Sequence, residues 1–497
     1  KPMSHQPPNV IQIISDQHHA ALMGCAGHPQ AITPNLDRLA DEGIRFDAAY
    51  AQNPICTPSR VSALTGQYCQ NHGYFGLTGP RSDHLKGFLG HFRHHGYRTA
   101  AFGKLHQPCD NGGNWLLDEV DRLADSYENG EGQIGRSEYF AYLEGAGVRH
   151  LEDSMHNPNH HGKEAIGMDA RPSELPYEHT QERWCVDEAF RFIDRERDEA
   201  PGVPFCLQIA FQKPHHPLLP QQAFWDLYPE DLDLPPTWDQ DPAHRPPHFR
   251  RTWQYAREYQ WPYAQPGETY VDGLRRAWRG TLACISQIDD VIGRLLAELE
   301  NRSLRENTIV VYHSDHGCYH GIHGIMEKAP GICSDAVCRV PMIWSAPGLI
   351  PAGENKSSLA ENIDLGPTLA SLCGLPAMDW ADGRDLAPIM RGESESVRDA
   401  AVTENPWSKA IRFGKWRFVY YPETLFDGED VGELYDLEAD PDETRNLYHD
   451  PAHREQVEQC RRRLLRWMVE TKRHVTVHPA LRKSRSPGHL HAHGAFH

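Results

Sequence analysis

Residues 9–15 read NVIQIIS, and Asp16, Gln17 and His18 follow them directly. A short run of β-branched and apolar residues predicts a strand that is buried on both faces, as in a parallel sheet. The three polar residues then stand at its carboxyl end, where open α/β sheets bind their ligands. This stretch therefore predicts an α/β fold with a functional site at the end of its first strand.

The sequence after this strand alternates between strands and helices. Thr33 caps a predicted helix that has Pro34 at its first position and ends near Gly43. Further strands are predicted at residues 97–102, 205–211 and 308–313. Such alternation predicts a mainly parallel sheet between two layers of helices.

The pattern changes from about residue 399 to short strands separated by turns, followed by a predicted helix over about 452–472. The strands are predicted at residues 409–413, 416–421 and 433–437. We therefore predict a large α/β domain over 9–395 and a small antiparallel sheet with one helix over 396–475. The tail over 476–497, rich in His, Arg, Gly and Pro, is expected to pack on the body or on a neighbouring subunit, which leaves a homo-oligomer open.

The composition excludes several classes of function. The net charge of −19, from 69 acidic and 50 basic residues, opposes binding to nucleic acid or to an anionic membrane surface. No apolar run approaches the roughly 20 residues needed to span a bilayer, and residues 1–8 lack the apolar stretch of a signal peptide. A cytoplasmic protein starting at Met3 is expected, although a signal removed before residue 1 would leave the same sequence. The 12 cysteines are scattered without a CxxC pair, which indicates reduced thiols.

The strongest motif is PICTPSR at residues 54–60, followed by LTG at 64–66. Pro58 suits the first position of a helix, so Cys56 is predicted just before the helix, where backbone N–H groups favour an anion. A buried cysteine before a helix would explain CxPxR alone. The LTG in register favours a functional site instead.

Two strand ends are rich in metal-binding groups. Asp16 and Gln17 follow the first strand, and Asp315 and His316 follow the strand at 308–313. The sequence SDHG alone would more often be a turn with a capping Asp. Because both pairs end strands of one predicted sheet, with Cys56 between them in sequence, they predict a metal site.

These motifs resemble those of the type I sulfatases of the alkaline-phosphatase superfamily, in which CxPSR and LTG direct oxidation of the cysteine to formylglycine. The resemblance runs from residue 9 to about residue 472 and implies an alkaline-phosphatase-like core. It implies a hydrolase that releases inorganic sulfate and an alcohol from a sulfate ester. Cys56, matured by a formylglycine-generating enzyme, would supply the nucleophile, and Arg60 would hold it and offset negative charge.

The resemblance also implies which residues hold the metal: Asp16, Gln17, Asp315, His316 and the modified Cys56. Many sulfatases have Asp where Gln17 stands and Asn where His316 stands, so this chain departs from that pattern. Ca²⁺ is the first expectation because carboxylate and amide oxygens suit it. A nitrogen ligand with only two carboxylates keeps Mn²⁺ or Zn²⁺ open.

Two basic motifs match the family. In GKLH at residues 103–106, the resemblance implies that Lys104 grips the sulfate and that His106 helps its release. In KPHHP at residues 213–217, it implies that His215 contacts the sulfate ester and protonates the leaving alcohol. His216 could exchange roles with His215, and Lys213 is expected to bind substrate beside them.

A third match lies thirteen positions after Asp315, where Lys328 would bridge the sulfate and the leaving-group oxygen. His323 would line the same pocket.

A phosphonate monoester or phosphodiester hydrolase on the same scaffold is the nearest alternative, and the intact Lys104 favours a sulfatase. A non-catalytic carbohydrate-binding relative is a second alternative, against which the intact Cys56 and Arg60 argue. A sulfated mono- or oligosaccharide is the expected substrate, with choline sulfate or an aryl sulfate next. Selectivity is expected in long loops over 110–130, 150–176 and 218–268.

Overall fold

A computed structural model of the chain describes residues 7–107, 115–117, 119–126, 137–152, 169–258, 265, 267–328 and 333–473. The tail predicted over 476–497 lies outside the described residues, as do parts of the three predicted selectivity loops. Among the described helices, none combines the length and the apolar character that a bilayer crossing needs.

Two β-sheets and thirteen α-helices make up the described chain. The large sheet contains β1 (Asn9–Asp16), β2 (Ile44–Tyr50), β3 (Arg98–Gly103), β4 (Arg122–Asp125), β5 (Phe205–Pro214), β6 (Thr308–Ser314), β7 (Arg339–Val340), β8 (Met342–Ser345) and β9 (Glu354–Glu361). The small sheet contains β10 (Ala401–Glu404), β11 (Lys409–Phe413), β12 (Trp416–Tyr420) and β13 (Gly432–Asp436). The helices are α1 (Pro34–Asp41), α2 (Cys56–Thr65), α3 (Cys69–His72), α4 (Phe88–His94), α5 (Glu138–Gly145), α6 (Gln181–Glu199), α7 (Gln222–Trp225), α8 (Pro247–Glu258), α9 (Tyr270–Asn301), α10 (Asp335–Cys338), α11 (Leu365–Leu372), α12 (Ala387–Met390) and α13 (Arg454–Thr471).

The strands of the large sheet lie in the order β4-β3-β5-β1-β6-β8-β2-β7, and β9 pairs with β2. The five strands from β4 to β6 are mutually parallel, whereas β8 runs antiparallel to both β6 and β2. The predicted mainly parallel α/β sheet is therefore confirmed. Its antiparallel side is an addition that the sequence did not predict.

β1 lies in the middle of the large sheet and is buried along its whole length. Ile11 and Ile13 pack with residues of α6 and α9 in one hydrophobic cluster, while Val10 packs with residues of α4 and α11 in another. Helices thus cover both faces, which is why the strand is apolar at successive positions. The carboxyl ends of β1 and β6 lie side by side, and the Asp315 N–H donates to the Ser15 carbonyl at 3.2 Å.

The small sheet is antiparallel throughout, in the order β10-β11-β12-β13. Trp467 and Leu464 of α13 pack with Ile411 and Phe418 of this sheet, which confirms the predicted antiparallel sheet with one helix. β10 also joins the large domain, because the Glu404 N–H donates to the Gln52 carbonyl at 2.7 Å. The domain boundaries at 395 and 475 stay predictions.

Candidate active site

Cys56 is the first residue of α2, rather than the residue before it as predicted. Ile55 is the N-cap with extended backbone (φ −123°, ψ 141°), so helical geometry begins at Cys56, and Pro58 is the third helical residue. Proline is tolerated there because N–H groups of the first turn have no intrahelical acceptor. Every residue of α2 is buried, which fixes Cys56 at the amino end of a helix inside the protein.

The Cys56 thiol lies among basic side chains. Lys328 Nζ is 3.6 Å from its Sγ, and His106 and His215 are hydrogen-bonded to it. Burial by itself would raise the pKa of the thiol, but Lys328, Lys104 and these hydrogen bonds hold it well below its usual value. The position therefore favours a negatively charged group.

Arg60 follows Cys56 by one helical turn and is 1% exposed. Its Nε donates to Asp315 Oδ2 at 2.8 Å, and its Nη2 donates to Asp16 Oδ2 at 3.1 Å. Its Nη1 donates to the Lys104 carbonyl. Arg60 therefore links α2 to the ends of β1, β3 and β6.

His316 presents a lone pair to the two carboxylates. Its Nδ1 is 2.7 Å from the Gly317 carbonyl, and since a carbonyl only accepts, Nδ1 carries the hydrogen and the neutral ring has a free Nε2 lone pair. Nε2 lies 3.8 Å from Asp16 Oδ1 and 3.8 Å from Asp315 Oδ1. Among the described residues, neither Nε2 nor Asp16 Oδ1 has a hydrogen-bond partner.

These atoms fit a metal ion. One ligand atom from each of Asp16, Cys56, Asp315 and His316 lies within 4.8 Å of the others. Two carboxylate oxygens and a nitrogen lone pair would repel one another if nothing positive lay between them. The donor set suits a divalent cation with mixed oxygen and nitrogen ligands.

Gln17 stands beside this cluster in a left-handed backbone conformation (φ 71°). Its Oε1 accepts a hydrogen bond from Lys328 Nζ at 2.8 Å, and its N–H donates to Asp315 Oδ1 at 3.1 Å. The His320 ring contacts the Gln17 carbonyl through Nε2 at 2.8 Å. Gln17 therefore lies where a metal ligand was predicted, and its role as a ligand stays a prediction.

Three cations converge on the same place. Lys104 follows β3, is 1% exposed, and places Nζ 2.6 Å from Asp16 Oδ2. Arg60 and Lys328 complete the group. Burial disfavours a charged Lys328, yet Cys56, Asp16 and Glu327 raise its pKa. The arrangement can bind a tetrahedral anion against the Cys56 side chain.

The two histidines at Cys56 come from different strands. His106 follows β3, and burial lowers its pKa although Cys56 counteracts this. His215 follows β5, and its Nδ1 donates to the His216 carbonyl at 2.6 Å. Burial, together with the neighbouring His216 and the Lys104 cation, lowers the pKa of His215 to about 3.

Lys213 and His216 contact carboxylates and do not contact Cys56 directly. Lys213 Nζ is 3.2 Å from Glu182 Oε2, and His216 Nδ1 is 3.1 Å from Glu327 Oε1. Their predicted role in substrate binding stays a prediction. Glu182 and Glu327 were not predicted as site residues, because neither belongs to a recognisable motif.

His323 contacts a different part of the molecule. Its Nε2 is 2.7 Å from Arg245 Nη2 and its Nδ1 is 2.8 Å from Gln240 Oε1. It lines a cavity of about 440 Å³ together with His19, Trp278 and other residues outside the Cys56 cluster. The left-handed backbone at His323 (φ 54°) is part of the turn that places it there. The described residues thus give no support to the prediction that His323 shares a pocket with Lys328.

Comparison with known proteins agrees with this geometry. A family model described as Sulfatase matches residues 8–375, and one described as N-sulphoglucosamine sulphohydrolase, C-terminal, matches residues 321–470. The chain is 28% identical over 478 residues to the choline-sulfatase of Rhizobium meliloti (strain 1021), covering 90% of this chain and 84% of that protein. It is 25% identical over 516 residues to the N-acetylglucosamine-6-O-sulfatase of Bacteroides thetaiotaomicron, covering 89% and 82%.

Solved structures share the fold. The phosphonate monoester hydrolase of Agrobacterium radiobacter has a TM-score of 0.76 at 22% identity, covering 93% of this chain and 96% of that chain. A protein solved in complex with its substrate D-glucosamine-2-N,6-O-disulfate has a TM-score of 0.72 at 22% identity, covering 94% and 98%. At such identity the likeness concerns the fold.

Proposed function

Because the chain belongs to the sulfatase family of sulfuric ester hydrolases, we propose that it removes sulfate from a sulfated carbohydrate through Cys56 matured to formylglycine. The observation that carries this proposal is the convergence of three cations and the Asp16, Asp315 and His316 donors on the buried Cys56. A sulfate monoester is anionic, so it needs positive charge at the point where the nucleophile approaches.

The metal and the modified side chain supply chemistry that cysteine and lysine lack. Asp16, Asp315 and His316, with the side chains at 17 and 56, would hold Ca²⁺, with Mn²⁺ or Zn²⁺ as alternatives, and the ion would offset charge on the sulfate. A hydrated aldehyde at position 56 would supply a hydroxyl nucleophile. The maturation enzyme that oxidises Cys56 is the partner this proposal requires.

The cations of the chain bind and orient the sulfate. Lys104 and Lys328 both lie near Cys56 and can donate to sulfate oxygens, while Arg60 holds Asp16 and Asp315 in place. Because Arg60 and Lys104 are buried and Lys328 is partly buried, their charges act through little water and stabilise negative charge more strongly than exposed lysines would.

The two histidines move protons at Cys56. His215 donates from Nε2 to the leaving alcohol, since its Nδ1 is occupied by the His216 carbonyl. Its pKa of about 3 in the free site rises when an anionic ester binds beside it, because a nearby negative charge favours the protonated ring. His106, hydrogen-bonded to the side chain at 56, takes a proton from it.

A carbohydrate is the preferred leaving group, with support from the relatives named for N-acetylglucosamine 6-O-sulfate and iduronate 2-sulfate. The relatives named choline-sulfatase and arylsulfatase keep those two substrates as alternatives. The fold shared with a phosphonate monoester hydrolase makes an aryl phosphonate the second candidate substrate class.

The test is sulfate release from sulfated sugars, choline sulfate, an aryl sulfate and an aryl phosphonate, using protein whose formylglycine is verified by mass spectrometry. Cys56→Ala is expected to abolish release. Cys69→Ala is the matched control, because it removes another buried thiol at the first residue of a neighbouring helix and should leave turnover unchanged. Phosphonate cleavage without sulfate release would assign the second class, and binding without any turnover would assign a non-catalytic relative.

A further inference from the structure

A buried contact between His216 and Glu327 joins the two segments that carry His215 and Lys328. His216 Nδ1 lies 3.1 Å from Glu327 Oε1, and the two side chains are only 10% and 11% exposed. His216 directly follows His215, and Glu327 directly precedes Lys328. The pair therefore connects the end of β5 to the segment after β6 beside Cys56, although the residues are far apart in sequence.

His215 depends on His216 for its orientation. Its Nδ1 donates to the His216 carbonyl at 2.6 Å, and the two rings pack with centroids 3.9 Å apart and planes at 33°. A shift of His216 therefore turns the ring whose other nitrogen faces Cys56. Lys328 is bound at its other end by Gln17 Oε1 at 2.8 Å.

Glu327 is charged in this environment. Burial alone would raise its pKa, but His216, Lys328 and His215 lower it to about 2. A buried carboxylate next to a sulfate site would repel the substrate if it stood alone, and the neighbouring Lys328 cation offsets that charge.

We propose that His216 and Glu327 are a positioning pair, which holds His215 in line with the leaving-group oxygen. This inference rests on the proposed function and adds two residues to it. Neither residue touches the reacting atoms. They act through His215.

The proposal predicts a dependence on the leaving group. An alkoxide leaving from a sugar needs the proton from His215, whereas a nitrophenolate leaves without one. Misplacing a proton donor by about 1 Å costs on the order of a hundredfold in rate. Glu327→Gln and His216→Gln should therefore lower kcat on a sulfated sugar about 10- to 100-fold, and change kcat on nitrophenyl sulfate by less than about threefold.

The experiment measures kcat and KM of the matured enzyme on both esters for wild type, each single variant and the double variant. Glu119→Gln is the matched control, since it removes the carboxylate of an exposed His94–Glu119 pair at 3.3 Å. Thermal unfolding of every variant establishes that each one is folded. We expect the double variant to lose no more activity on the sugar than either single variant, because the residues act as a unit.

Three results would overturn the proposal: equal losses on both esters, losses that multiply in the double variant, or full activity in Glu327→Gln. If wild type carrying formylglycine released no sulfate from any ester, the proposed function would fail first and this role would fail with it. If the wild type were active and the variants had unchanged kinetics, only the proposed positioning role would be rejected.

Discussion

Asp16 Oδ1 and His316 Nε2 are the clearest signs of a metal ion at the level of single atoms. Both are buried, and neither has a hydrogen-bond partner in the part of the chain that is described. Burial opposes a charge on His316, yet Asp315 raises its pKa, and a metal ligand must give up its proton to bind. Metal and proton therefore compete for the same lone pair.

Chelation should both inactivate and destabilise the enzyme. Since only the folded chain presents this donor set, a metal at about 100 times its Kd stabilises by about 2.7 kcal/mol. We expect EDTA to lower the unfolding temperature and Ca²⁺ to restore it, with Mn²⁺ or Zn²⁺ as the alternative. Elemental analysis should show that His316→Ala loses the metal and that Asp289→Asn, a buried carboxylate capping α1, retains it. Equal metal content in both variants would contradict this assignment.

Lys328 should contribute more to catalysis than any exposed lysine. It reaches both Cys56 and Gln17, and a partly buried donor of this kind is worth roughly 3 to 4 kcal/mol in the transition state. Lys328→Ala should therefore lower kcat by about two to three orders of magnitude. Lys415→Ala, which breaks a half-exposed pair with Asp436, should leave kcat unchanged. Similar steady-state kinetics for the two variants would contradict the role of Lys328.

The sequence predicts the residues of the site more reliably than their orientations. The structure brings together the motif residues named in advance, which are Asp16, Gln17, Cys56, Arg60, Lys104, His106, His215, Asp315, His316 and Lys328. Most of them end or follow a strand, and Cys56 and Arg60 lie in the first turns of α2, so local motifs mark them. The orientations of Lys213 and His323 depend instead on Glu182 and Arg245, which no motif marks.

At the level of elements, Gly103 determines how β3 delivers Lys104. Its φ of 100° is rarely adopted by other residues, and a Cβ there would lie 2.0 Å from the Ala210 carbonyl oxygen of β5. Gly103→Ala should push β3 and β5 apart and cost at least about 2 kcal/mol of unfolding free energy. Lys104 would move with the strand end, so kcat should fall as well.

Gly145→Ala is the control for that substitution. Gly145 ends α5, and a Cβ there would meet nothing within 4 Å. It should be neutral or stabilise by up to about 1 kcal/mol. Denaturant unfolding and steady-state kinetics of both variants test the contrast, and equal stability of the two would contradict the steric argument.

Element positions are predictable where a buried run is long and bounded by polar residues. β5 and β6 begin where the apolar pattern predicts and extend slightly beyond its predicted end. The direction of β8 is not predictable, because the four residues Met342–Ser345 read as a buried strand in either orientation. Its antiparallel pairing with β6 depends on chain connections that only the folded structure shows.

At the scale of the whole molecule, a buried charge network joins the two sheets. Arg398 binds Asp364 through both terminal nitrogens and has its Nε 3.2 Å from Glu361 Oε2. Glu361 ends β9 of the large sheet, and its Oε1 accepts from the Val402 N–H of β10 in the small sheet at 2.7 Å. Tyr68 donates to the same carboxylate at 2.7 Å. Arg398 is therefore the cation that pairs with the carboxylate lying between the sheets.

Arg398→Ala should destabilise the enzyme in a manner that depends on pH. Burial raises the pKa of Glu361 to about 7 in the native protein although Arg398 counteracts this, so removing Arg398 raises it further. When the pKa of a carboxyl is higher in the folded than in the unfolded state, the protein loses stability as pH rises through the folded pKa. Leaving a buried carboxylate without its cation lowers the free energy of unfolding by about 3 to 5 kcal/mol. We expect Arg398→Ala to lose this full amount of stability at about pH 8.5. At about pH 6, where Glu361 is protonated in the variant, the loss of stability should be smaller.

Urea unfolding at both pH values measures this difference, with Arg463→Ala as the control. Arg463 pairs with Asp399 at the surface at 2.6 Å, so its removal should change stability by no more than about 0.5 kcal/mol at either pH. A loss in Arg398→Ala that is the same at both pH values would mean that Glu361 stays ionised without its partner. In that case the hydrogen bonds from Tyr68 and Val402, rather than the cation, would maintain the charge between the sheets.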